Sequence, residues 1–346
     1  MKKRILILIS VLTLSIQTKA QSNFENILLA DVNDSQKLLQ AYFAPGMEGF
    51  INAMNGGWYH TAKVHKKLGF DISIGASGSQ IPSKNNLIDI AALGLSDNIT
   101  SDKSTTPSFS GSSNGAVFQV TKNIEGQNVT ANFTAPGGVN LPANLVPAPA
   151  VQIGVGLPGK LEAMLRFAPN TNIGQDQDDS SLNMFGIGLK KEITSWFGPI
   201  DKTPLHVSIL AAYTSMTVSY EIGDITSGPI RTENALAEFD LNAFTLQAIA
   251  SVNFPFINVY GGFGYNRGSS SFNMSGNYNG VFETGLPAPN NTITQVLVLP
   301  SNLDFNSNGM TATIGTRLSL GFFKIYGSYA LQEYNTANLG VAFSFR

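Results

Sequence analysis

The stretch ANLGVAFSFR (337–346) decides how the rest of the chain is read. Leu339, Val341, Phe343 and Phe345 are large and apolar, while Asn338, Gly340, Ala342 and Ser344 between them are small or polar. Alternation with period two is the signature of a β-strand with one apolar face. In a soluble sheet this strand would present an unpaired apolar edge, which soluble proteins usually blunt. In a closed cylinder it pairs with the first strand and becomes the seam.

Working outward, the same period recurs. FTLQAIASVNF (244–254) places Phe244, Leu246, Ala248, Ala250, Val252 and Phe254 on one face, with Thr245, Gln247, Ser251 and Asn253 on the other. Its length suits a tilted membrane-crossing strand, which needs roughly 9–11 residues. Further alternating runs are 70–76, 151–157, 161–167, 185–193, 205–213, 257–265, 311–320 and 323–331. Short turns at 157–160, 197–204, 254–256 and 321–324 alternate with longer polar connections at 169–181, 221–234 and 269–308. Short turns on one side and long loops on the other describe an outer-membrane barrel. The expectation is an all-β, closed antiparallel transmembrane β-barrel of about 12 strands (range 10–14), monomeric, with both termini periplasmic. A hairpin hidden in 80–148 supplies the strands not read directly. In 205–220 and 236–254 the apolar set changes parity partway, through a bulge or because the outer part projects beyond the membrane.

Composition agrees. Charged residues make up 13% of the chain, against about 25% in soluble domains, with 34 glycines and 22 phenylalanines. The absence of cysteine excludes disulfides, thiolate catalysis and zinc–cysteine sites. MKKRILILISVLTLSIQTKA (1–20) reads as a signal peptide cleaved before Gln21, placing the protein in the bacterial outer membrane. Its loss removes Lys2, Lys3, Arg4 and Lys19, moving the formal charge from −2 to −6. An acidic chain has no electrostatic case for nucleic acid. Outer-membrane lipid is the expected partner.

Residues 21–57 read differently, with barrel expected over 58–346. DSQKLLQAYF (34–43) predicts a short helix capped by Asp34 or Ser35, and PGMEGFINAMNGG (45–57) a second opening at Pro45. This segment is either a plug in the lumen or a periplasmic cap. As a plug, Leu38, Leu39, Phe43, Met47, Phe50, Ile51 and Met54 would form an apolar pocket for a small hydrophobic ligand.

The blocks GWYHTAKVHKKLGFDISI (57–74), VQIGVGLPGKLEAMLRFAP (151–169) and FGIGLKKEITSWFGPIDKTPLHVSILAAYTS (185–215) resemble a family of Bacteroidetes outer-membrane proteins of unknown function. A helical segment before a barrel is also similar in architecture to long-chain fatty-acid and hydrocarbon transporters, although their Asn-Pro-Ala signature is absent from this N-terminal segment.

Other constellations carry bland readings. Gly154–Gly159 matches G-x-G-x-x-G, but no βαβ pattern surrounds it and Pro158 suits a turn. His60 and His65 lack carboxylate neighbours in sequence for a metal site, and no cofactor motif is present. Trp58 and Tyr59 read as interface aromatics beside Lys63, Lys66 and Lys67. His206 and Ser208 share a strand face without an oxyanion partner, so no enzyme is expected. Glu162, Arg166, Lys190, Glu192, Glu238, Asp240, Arg317 and Lys324 fall mostly opposite apolar faces and are expected in the lumen, as a pore lining or an ion-pair filling. The functions consistent with this reading are a passive channel or transporter for small hydrophobic compounds, a structural or adhesive barrel, and a membrane-embedded hydrolase.

Overall fold

The terminal strand is the seam. In the computed structural model, which describes residues 24–345 apart from positions 113, 140, 173–180 and 302, Phe70 pairs with Phe345, and the register runs unbroken to Ser79 opposite Thr336. The expected signal peptide lies outside the described residues. Ten strands form the ring: β1 (Phe70–Gln80), β2 (Leu145–Leu157), β3 (Leu161–Asn172), β4 (Ser181–Glu192), β5 (Leu205–Ile225), β6 (Ile230–Asn253), β7 (Ile257–Glu283), β8 (Leu303–Leu320), β9 (Phe323–Leu331) and β10 (Thr336–Phe345). Each pairs antiparallel with the next along the chain, and β10 with β1. The hairpin in 80–148 exists, Val117–Ile124 against Gln127–Thr134. It stays out of the ring, meeting β7 at a single pair, Glu283 with Thr130.

Phe244, Leu246, Phe263, Ile314 and Leu339 face outward and are exposed, whereas Thr245, Gln247 and Ser251 face inward and are buried. At about 3.4 Å per residue and a tilt of roughly 40°, the outward apolar run 244–254 spans a band on the order of 25 Å, the height of a hydrocarbon layer. Beyond it, parity persists but polarity inverts. Phe239 and Leu241 point inward and are buried, while Glu238 and Asp240 point outward. No bulge intervenes, since β6 pairs with β7 in continuous register from Leu236 to Asn253. Along β5 the register is equally unbroken from Leu205 to Glu221. The parity change read in the sequence is therefore an exchange of solvents: lipid outside and polar lumen below, water outside and apolar core above.

One end of the barrel, the turn end, carries Phe70, Phe345 and the tight turns, with Gly159 at φ +76 in the turn after Leu157. The other, the loop end, is built up by the long strands and the 117–134 hairpin. Phe118, Val120, Val129 and Phe133 of that hairpin bury against the core inside the ring. That core is the N-terminal segment. A 3-10 turn (Phe24–Leu29) leads into one α-helix, α1 (Val32–Asn55), continuous across Pro45 where two helices were expected. Its N-cap is Asp31. Ser35, expected there, instead donates to the carbonyls of Ile27 (2.8 Å) and Ala30 (3.2 Å), fastening the 3-10 turn to the helix. Among the described residues no helix is long and apolar enough to cross a membrane, which says nothing about strands.

Candidate functional site

The site is the filled lumen, in three layers. The upper layer is apolar. Leu38, Leu39, Phe43, Met47, Ile51 and Met54 of α1 are buried in one cluster with Phe239, Leu241 and Phe272 of the wall, and Phe50 packs partly buried beside them. Phe43 meets Phe239 edge-on at 5.0 Å and Phe272 at 5.2 Å. Helix and wall approach closely because two contacts use glycine: a Cβ on Gly49 would lie 2.6 Å from Val146 of β2, and one on Gly268 of β7 2.4 Å from Ile51. The expected apolar pocket is thus filled by the protein's own side chains.

At the rim of this layer, outside the membrane band, lie two carboxyls, Glu25 buried and Glu48 half-buried. Burial pushes Glu25 up to about 7, against hydrogen bonding from its own backbone, and its Oε2 has no partner. Burial also raises Glu48, although the Tyr334 hydroxyl donates to it at 2.6 Å and opposes the shift.

The middle layer is a pin. Arg166 reaches inward from β3 and donates from Nη1 to the carbonyls of Met54 (3.1 Å) and Gly56 (2.9 Å) at the helix C-terminus. Its Nε and Nη2 donate to Gln152 Oε1 at 3.2 and 3.0 Å, and its Cζ lies over the Trp58 ring, 3.8 Å from the ring centre. Trp58 itself, 1% exposed, lies against Gly186 and Gly188.

Below the pin the chain runs as an irregular segment, 56–69, inside the barrel. Buried irregular backbone must find hydrogen-bond partners other than itself. The wall supplies them. Glu162 Oε2 accepts from His65 N (3.0 Å) and Glu192 Oε2 from Val64 N (3.1 Å). Ser251 Oγ accepts from Ala62 N (3.0 Å), Ser208 donates to Ala62 O, and Gln152 Nε2 donates to Trp58 O (3.1 Å). The charges then pair among themselves: Lys190 with Glu162 Oε1 at 2.8 Å, His65 Nδ1 with Glu162 Oε2 at 2.9 Å, and His206 Nδ1 with Glu192 Oε1 at 2.9 Å. His60 sits between Arg317 Nη1, 3.0 Å from its Nδ1, and Asp71 Oδ2, 2.9 Å from its Nε2. A guanidinium only donates, so Nδ1 accepts and the Nε2–H donates to Asp71.

Of the charges expected in the lumen, Glu162, Arg166, Lys190, Glu192 and Arg317 are there. Lys324 shares the inward face at the turn-end mouth, its Nζ donating to Gly321 O at 2.7 Å. Glu238 and Asp240 are not in the lumen. They project outward above the apolar band, accepting from Ser219 (3.1 Å) and Thr217 (2.8 Å) on the neighbouring strand. The alternation placed them opposite Phe239 and Leu241, but at that height the apolar face is the inner one. Trp58 and Tyr59 also differ from expectation, being lumenal rather than interfacial; Tyr59 donates to Gln247 Oε1 at 3.0 Å. The lumenal segment therefore extends to residue 69, past the expected boundary at 57. Asp71, Gln152 and the glycine shelf under Trp58 escaped the sequence reading. The inward parity of Asp71, Gln152, Gly186 and Gly188 within their alternating runs was the available signal.

Two recesses accompany this filling. A cavity of about 10 Å3, the size of a single water, lies under the helix C-terminus beside Asn55 and Asn338. A larger recess of about 440 Å3, bordered by Lys66, Lys67, Leu68, Phe70 and Phe345, lies at the turn-end rim. Among the described residues no group of His, Cys, Asp and Glu side chains is arranged to hold a metal.

A family model described as "Family of unknown function (DUF6588)" matches residues 1–345. The chain belongs to that family. No curated protein matches the sequence. Among solved structures, it is similar to the NalP autotransporter translocator domain from Neisseria meningitidis at 11% identity and TM-score 0.32, covering 82% of this chain and 90% of that one. It is also similar to the attachment invasion locus protein Ail of Yersinia pestis (11%, TM-score 0.26, 81% and 99%) and to the outer membrane protease OmpT from Escherichia coli (10%, TM-score 0.27, 80% and 96%). None of these likenesses is close enough to bear on function.

Proposed function

We propose that the protein is an outer-membrane barrel of structural or adhesive type, monomeric and embedded in lipid, whose working surface is the folded head at its loop end. The observation that carries this reading is the packed lumen. A passive pore needs a continuous aqueous path, and α1 with the segment 56–69 occupies that path from end to end. The lumenal charges serve the backbone of this segment rather than a permeating ion. The loop end faces the cell exterior in this reading, because bacterial barrels keep their short turns periplasmic.

Transport of a small hydrophobic compound is the second reading, supported by the apolar character of the upper lumen. It requires α1 to leave, since its own side chains fill the site such a compound would take. A membrane-embedded hydrolase has the least support: Ser208 is engaged with Ala62 O and His206 with Glu192. Planar-bilayer recording of the purified protein tests the proposal. The expected result is an absence of stable conductance steps; steady open channels from the unmodified protein would overturn it.

A further inference from the structure

At the turn end the lumenal segment meets β1 through Lys66-Lys67-Leu68-Gly69-Phe70, and the backbone there is fixed. Leu68 N donates to Gly156 O at 2.9 Å, Gly156 N to Gly69 O at 2.8 Å and Gly69 N to Lys66 O at 2.8 Å. The turn holds Leu68 at φ +63, a left-handed conformation in which a bulky L-residue is an outlier, and leaves the residue 76% exposed. In water the exposed side chain would add its own cost to that of the backbone. In lipid only the backbone strain remains. The neighbours of Leu68 are of the same kind. The Phe70 and Phe345 rings stack at 5.1 Å across the seam, and the Phe322 ring lies 6.4 Å from that of Phe345. Trp196, Phe254 and Phe256 in the other turns are exposed as well, and such a girdle of aromatic residues marks the headgroup level of a bilayer.

Two charges sit on this apolar wall. Lys66 and Lys67 are exposed, and with Leu68, Phe70 and Phe345 they border the recess of about 440 Å3. Small-molecule sites span roughly 300–1,000 Å3. Neither lysine has an ion-pair partner among the described residues. The acidic side chains described at this end, Asp71, Glu162 and Glu192, are buried and engaged with His60, His65, Lys190 and His206. A pair of cations over an apolar cleft at headgroup level is complementary to an anionic amphiphile. We propose that the recess binds a single anionic glycerophospholipid, its phosphate facing the two lysine ammonium groups and its acyl chains lying along Phe70 and Phe345. That this leaflet is the phospholipid one rests on the turn end facing the periplasm, as read above.

Native mass spectrometry of the purified chain, in detergent micelles doped equally with phosphatidylglycerol and phosphatidylcholine, tests the site. One phosphatidylglycerol should be retained per barrel in preference to phosphatidylcholine. Lys66→Gln combined with Lys67→Gln should weaken that retention roughly thirtyfold, equivalent to about 2 kcal/mol for the pair. Lys84→Gln, at an exposed position of the loop end, should leave it unchanged. Leu68→Asn relieves the backbone, since asparagine tolerates this conformation, yet should also lose retained lipid because the apolar contact is gone. Soluble glycerophosphoglycerol, the same headgroup without acyl chains, should not displace the lipid at matched concentration. Equal retention of the two lipids overturns the proposal, as does retention indifferent to the lysine pair in a variant that keeps its strand circular dichroism. Displacement by glycerophosphoglycerol with no effect of Leu68→Asn would show a site for soluble anions and overturns it equally. Micelles have no leaflets, so such a failure belongs to the site and not to the orientation.

Discussion

Arg166→Ala removes the pin between helix and wall. The guanidinium serves the carbonyls of Met54 and Gly56 and the Gln152 amide oxygen, and stacks on Trp58. Hydrogen bonds from a charged donor contribute about 1.5–3 kcal/mol each, and a desolvated cation–π contact about 2. These do not add fully, and the variant strands three acceptors, two buried and one half-buried, so the expected loss is on the order of 5 kcal/mol. It falls on the plug rather than the barrel, because the ring's interstrand ladder does not involve the side chain. The variant should keep its strand signal in circular dichroism and its compact electrophoretic mobility in detergent. Amide hydrogen exchange over residues 52–60 should accelerate by at least about a hundredfold, and intermittent conductance should appear in bilayers. Arg166→Lys, which keeps the charge but not the fork, should fall between. Exchange rates and conductance unchanged in Arg166→Ala would show that the lower hydrogen-bond network alone holds the segment, and the reasoning would fail.

Three further outcomes follow from separate parts of the structure. A Cβ on Gly156 would lie 2.2 Å from Lys66 O and 2.5 Å from His65 O, both backbone, whereas one on Gly309 meets nothing within 4 Å. Gly156→Ala should therefore cost at least about 2 kcal/mol in urea-induced unfolding and Gly309→Ala less than about 0.5; equal effects would refute the close approach. Leu246→Arg, inside the apolar band, should lose roughly 2–4 kcal/mol in lipid, while Asp240→Asn, above it, should be near neutral, and comparable losses would misplace the band edge. Glu25, raised by burial to about 7, holds its proton more tightly folded than unfolded. Stability from this group is therefore full below about pH 4.5 and declines as pH rises through 7, by on the order of 3 kcal/mol. Melting temperatures measured across that window should fall for the unmodified protein and stay level for Glu25→Gln, and a slope shared by both would assign the effect elsewhere.

The wall of this protein was legible in its sequence because a membrane imposes one simple rule on it. Every strand crossing lipid must alternate, so the runs read directly, from 70–76 to 337–346, are the same ten that close the ring, and Glu162, Arg166, Lys190 and Glu192 fell inward as their spacing required. The helix was legible for the same reason, since Leu38, Leu39, Phe43, Met47, Ile51 and Met54 repeat at its period. What fills the lumen was decided only by tertiary structure. Residues 56–69 have no periodicity, because their backbone bonds to side chains on distant strands. Nothing local to His65 or Val64 names Glu162 or Glu192 as the acceptor. The outward placement of Glu238 and Asp240 was hidden similarly: alternation tells one face from the other, but the solvent each face meets depends on height above the lipid and on what lies inside. Height and filling arise only once the ring has closed around α1.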